Sequence, residues 1–72
     1  MSFQAYLDNV QAKTGKTPDE LQQLATQKGF VIDGKLNPQT KATEIINWLK
    51  EDFDLGHGHA MSIVAYFKGK RD

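Results

Sequence analysis

The sequence predicts an all-α fold, a compact bundle of four short helices with a longer extended loop between helices two and three. Three observations carry this expectation. Apolar residues recur at three- and four-residue steps in four separate stretches. Cap, proline and glycine signals punctuate those stretches where helices start and stop. Residues 30–36 break the helical period, and no second strand is evident to pair with them.

The first helix places Phe3, Tyr6, Leu7 and Val10 on one face, with Ser2 as an N-cap and Gly15 as a stop. Thr17-Pro18-Asp19-Glu20 opens the second and is the clearest local signal in the chain. It combines a capping box, proline at the first helical position and acids at the positive end of the helix dipole. Leu21, Leu24 and Ala25 then face inward. Gly29 can take a left-handed C-terminal conformation, with Phe30 covering the last turn.

Phe30-Val31-Ile32-Asp33-Gly34-Lys35-Leu36 reads as an extended, apolar connection rather than a hairpin, despite its Asp-Gly pair. Asn37-Pro38 repeats the cap-and-proline start, and Ala42, Ile45, Ile46, Leu49 and Phe53 form the longest apolar stripe, the expected spine of the core. Leu55-Gly56 ends that helix. Ala60, Ile63, Val64 and Phe67 define the last one, which fades into Gly69-Lys70-Arg71-Asp72.

Seventy-two residues suffice for one helical domain, residues 1–72, with one small core. No cysteine is present, so neither a disulfide framework nor a thiolate metal site supports it. No apolar run approaches the roughly 18–20 residues that span a bilayer, and the start lacks the basic and apolar segments of a signal peptide. The simplest reading is a soluble cytoplasmic chain with no membrane association. Nine basic and nine acidic side chains cancel, which argues against nonspecific nucleic-acid binding, whose affinity comes mainly from neutralised phosphates.

Ser2-Phe3-Gln4-Ala5-Tyr6-Leu7, Thr14-Gly15-Lys16-Thr17-Pro18, Trp48-Leu49-Lys50-Glu51-Asp52-Phe53 and Leu55-Gly56-His57-Gly58-His59-Ala60-Met61 together resemble a family of small bacterial proteins known only as a domain of unknown function. The resemblance spans nearly the whole chain. It implies a compact, portable module, found alone or fused beside another uncharacterised domain, and it brings no activity, substrate or ligand residues. The connection through residues 31–40 looks longer here than in the family.

Gly56, His57, Gly58 and His59 form the most informative motif, because both histidines of the chain lie there between two apolar helical patterns. On a helix, residues two apart diverge by about 200°, so the histidines could share an ion only if the glycines keep the segment nonhelical. Completing such a site would take Asp52, Asp54 or a second subunit, and no recognised zinc spacing is present. A glycine-permitted turn, with His59 bonded to the backbone at the start of the last helix, is the favoured alternative; no metal or cofactor is expected. Free amides at that helix start could also hold a phosphate or carboxylate. Neither Gly56-His57-Gly58 nor Gly15-Lys16-Thr17 satisfies a nucleotide-binding pattern. An acid–base site could be drawn from His57, His59, Asp52, Asp54 and Ser62, but no nucleophile motif joins them.

Trp48, Met61 and Tyr66 flank the main apolar stripes and form a candidate interaction surface for a protein partner or a second copy of the chain, provided they are exposed together. The competing reading puts Trp48 in the core. Lys68, Lys70 and Arg71 form a candidate basic patch. Their convergence with Lys13 and Lys16 on one face would favour nucleic acid, to which the helix-turn-helix look of the last two helices points by fold analogy only. The expected function is a noncatalytic binding or interaction module, with a nucleic-acid-associated module as the alternative.

Overall fold

The computed structural model describes residues 2–70. Four helices, α1 (Phe3–Thr14), α2 (Pro18–Gln27), α3 (Ala42–Phe53) and α4 (His57–Phe67), account for most of the described chain. Between α2 and α3 lies a hairpin of two short strands, β1 (Val31–Ile32) and β2 (Lys35–Leu36). The mostly helical architecture agrees with the sequence reading, whereas the extended loop does not.

The hairpin follows from two residues. Asp33 and Gly34 occupy positive φ, 54° and 76°, the conformation that a two-residue primed turn requires and that Asp-Gly pairs supply. The antiparallel register pairs Val31 with Leu36 and Ile32 with Lys35. Two rungs are too few to stand alone. Val31 is buried and Leu36 packs against the core, so tertiary docking supplies the missing stability. Asn37 closes the base: its N–H donates to the Phe30 carbonyl at 2.9 Å and its side-chain amide to the Gly29 carbonyl at 3.0 Å.

That role explains a second correction. Asn37-Pro38 begins a turn, not a helix: the Asn37 side-chain oxygen accepts the Gln39 N–H at 2.9 Å, and its carbonyl accepts the Thr40 N–H at 2.9 Å. Asn37 is thereby engaged with the hairpin and the turn, and α3 starts only at Ala42, where the Glu44 carboxylate accepts the Lys41 N–H at 2.9 Å.

Helix α3 ends at Phe53, with Asp54 rather than Leu55-Gly56 supplying the left-handed C-cap at φ 55°, whereas the ends of α1 and α2 match their signals. Ser2 Oγ accepts the Ala5 N–H at 3.1 Å to start α1, and Gly15, at φ 74°, ends it. After α2 the N–H of Phe30 reaches the Ala25 carbonyl at 2.9 Å and that of Gly29 reaches Thr26 at 3.1 Å, a Schellman closure with Gly29 at φ 84°. At the start of α2, Thr17 Oγ1 accepts the Glu20 N–H at 3.1 Å while Glu20 accepts the Thr17 N–H at 2.9 Å.

The Thr17 N–H, and then the Thr17 side chain, hold the Glu20 carboxyl below the usual carboxylate range. A folded pKa below the unfolded one contributes stability that is fully present above the unfolded value of about 4.3 and is lost as pH falls through the folded value. Two outcomes are expected. Thr17→Ala lowers the unfolding free energy by about 1 kcal/mol. The stability gap between the native chain and Glu20→Gln narrows as pH is taken from neutral into the acid range, as read from urea midpoints by circular dichroism.

The core gathers Leu7, Val10, Leu21, Ala25, Val31, Ile45, Ile46, Trp48, Leu49, Leu55, Ala60, Ile63, Val64 and Phe67. Its spine is α4 rather than α3, because α4 packs against all three other helices. The composition of α4 explains this: between His57 and Phe67 it has no lysine, arginine, aspartate or glutamate, so it has no strongly solvated face to turn outward.

Candidate interaction groove

The Gly56-His57-Gly58-His59 motif forms the start of α4. Gly56 is the N-cap, in extended conformation, and helical geometry begins at His57. The Ala60 N–H reaches the Gly56 carbonyl at 2.9 Å and closes the first turn. The glycine-permitted turn is therefore not formed, and the two imidazoles diverge as helical neighbours two apart must. Neither glycine is sterically required: a Cβ at Gly56 would meet open space, and one at Gly58 would lie in ordinary contact, 3.8 Å from Tyr6 Cε1. We find no physical reason in the fold for glycine at these two positions. Among the described residues, no group of three His, Cys, Asp or Glu side chains converges to hold a metal ion.

His59 is half-buried, and its ring meets the Tyr6 ring edge-on, with centroids 5.1 Å apart and planes 71° apart. That contact ties α1 to α4, in place of the local bond to the backbone at the start of the last helix that the sequence reading favoured. The His59 carbonyl accepts the Ser62 hydroxyl at 2.6 Å. Ser62 is itself buried, and its hydroxyl proton closes a helical turn.

A groove of about 380 Å³ runs between α1 and α4, walled by Phe3, Tyr6, Met61 and Ala65, with Lys70 at one end. The Lys70 ammonium stands 5.3 Å from the centroid of the Phe3 ring. Met61 is 45% exposed, and only Ile32, on the hairpin, stands out comparably among the large apolar side chains of the described residues.

The three candidate interface residues do not share this groove. Trp48 is only 7% exposed and packs edge-on against Phe30 and Phe53 on the far side of α3. Tyr66 is half-buried and donates its hydroxyl to the Asp19 carboxylate, joining α4 to the start of α2. Coexposure of the three is thus contradicted for a plain reason: a domain this small draws its flanking aromatics into the core. The basic patch also divides. Lys68 lines a hollow of about 450 Å³ beside Lys35 and the hairpin, while Lys70 faces the α1/α4 groove. Arg71 lies outside the described residues. Phe3 and Tyr6, read from the sequence only as part of an apolar stripe, are the groove residues that periodicity missed. Periodicity defines a face, but it does not say where along that face a neighbouring helix stops covering it.

No helix is long and apolar enough to cross a membrane among the described residues. The family model for DUF4287, a domain of unknown function, matches residues 2–69. No curated protein and no solved structure matches the chain.

Proposed function

The chain belongs to the DUF4287 family, a domain of unknown function, and from its own geometry we propose a noncatalytic, cytoplasmic helical module that binds a protein partner through the α1/α4 groove. The observation that carries this reading is Met61, an unbranched, polarisable side chain left 45% exposed beside the Phe3 and Tyr6 rings, whereas the other strongly exposed large apolar residue of the described chain, Ile32, stands on the hairpin away from this groove. Methionine and aromatic side chains adapt to a partner's shape and contribute heavily to interface cores. The noncatalytic part of the reading is supported by the commitment of the Ser62 hydroxyl to a backbone carbonyl. A nucleic-acid role is weakened by the division of Lys68 and Lys70 between two hollows on a chain of zero net charge.

The test is a photoreactive amino acid placed at Met61 and, as a control, at Gln23 on the exposed side of α2. Crosslinking in the cells that make the protein should give discrete adducts from position 61 and none from position 23. An adduct of twice the chain mass would identify the partner as a second copy. Identical patterns from both positions would refute the groove as the contact face.

A further inference from the structure

A second hollow, of about 350 Å³, lies on a different face, between α2 and α3, lined by Leu24, Gln27, Lys28, Trp48, Asp52 and Phe53. The Trp48 and Phe53 rings stand nearly perpendicular, at 83°, with centroids 5.6 Å apart, and so form a two-walled aromatic corner. Asp52 adds a carboxylate to the same lining. One wall of the corner already attracts a cation: the Lys28 ammonium lies 5.7 Å from the Trp48 ring centroid, within the roughly 6 Å over which a ring face attracts positive charge. Lys28 is the exposed C-cap of α2, so it reaches the ring by laying its methylene stem along the surface.

An aromatic corner with an adjacent carboxylate is the chemistry that recognises ammonium groups, since the ring quadrupoles and the anion both favour a compact positive charge. A point-charge ammonium, not a planar guanidinium, is the group already seated there. We propose that the Trp48–Phe53 corner is a binding site for alkylammonium groups and that Lys28 is its internal occupant, a competitor that an incoming ammonium displaces. Trp48 is 7% exposed, packed by Phe30 and Phe53 with the Lys28 ammonium near its ring, so an incoming ammonium takes the position that Lys28 now holds. This site is independent of the α1/α4 groove and of any partner bound there.

Trp48 is the sole tryptophan of the chain, which makes its fluorescence a site-specific reporter. The experiment titrates the full chain with tetramethylammonium chloride, and separately with N-acetyl-trimethyllysine amide, each against sodium chloride at equal ionic strength. Saturable changes beyond the salt control are expected. Lys28→Met, which keeps the stem and removes the charge, should bind about two- to fivefold more tightly than the native chain. Asp52→Asn in that background should weaken binding about twofold or more. Equal affinity for the two probes would mean that a free ammonium is recognised, whereas tighter binding of the lysine derivative would mean a chain-borne one. A Lys28→Met response that follows the sodium chloride curve, or equal affinities in Lys28→Met and native protein, would overturn the proposal.

Discussion

Phe67→Ala should lower the unfolding free energy by about 3–5 kcal/mol. Phe67 is 1% exposed and is among the largest fully buried side chains, set near the end of the helix that packs against all the others. Removing a buried phenylalanine ring costs about 3–5 kcal/mol, through lost burial and the cavity left behind. A chain of this length has a total stability of roughly 4–11 kcal/mol, from about 0.05–0.15 kcal/mol per residue. The loss is therefore between about a quarter and all of it. Chemical denaturation followed by far-ultraviolet circular dichroism measures the effect directly. An unchanged midpoint would mean that α4 is not the spine of the core.

Trp48→Ala should be comparably destabilising, by about 3–5 kcal/mol. Its ring makes edge contacts with Phe30, at 5.8 Å and 63°, and with Phe53, at 5.6 Å and 83°. Each such pair is worth about 0.5–1.5 kcal/mol beyond the area buried. The truncation would also loosen Phe30, which covers the end of α2 just before the hairpin. The contrast is with Met61→Ala, which should shift stability by no more than about 0.5 kcal/mol, as exposed substitutions do. Urea midpoints of the two variants, measured side by side, separate a core tryptophan from an interface tryptophan. If Trp48 belonged to a docking surface, its truncation would spare the fold.

How much of this was legible in the sequence depended on whether a signal was local. Thr17-Pro18-Asp19-Glu20 specifies its capping box within four residues, and the structure forms it as read. Gly29 and Phe30 similarly closed α2 as expected. Asn37-Pro38 carried the same local signal and misled, because Asn37 is captured by Gly29 across the base of the hairpin, a contact eight residues away. The hairpin was hidden because strands of two residues have no period to read, although the Asp33-Gly34 turn was visible. Periodicity put Trp48 beside the α3 stripe, but whether a flanking residue is covered depends on Phe30, Phe53 and Lys28, which come from three separate places in the chain.

For the site, the sequence directed attention to the histidines, whereas the structure directs it to their neighbours. His59 holds Tyr6 in place, and Tyr6 walls the groove into which Met61 projects. Through His59 the motif supports the α1/α4 contact by packing, beside the groove proposed to bind a partner. The same arrangement makes Met61 the most direct witness of binding. Its methyl group can be labelled with carbon-13, and the chain contains only one other methionine, at position 1. The decisive measurement is the Met61 methyl NMR signal in purified protein and after addition of lysate from the cells that make it. A groove that binds a partner predicts selective broadening of Met61, reversed by excess unlabelled native chain and not by unlabelled Met61→Glu. A signal that stays sharp in the lysate, or that recovers equally with both competitors, would contradict the α1/α4 groove as the binding face.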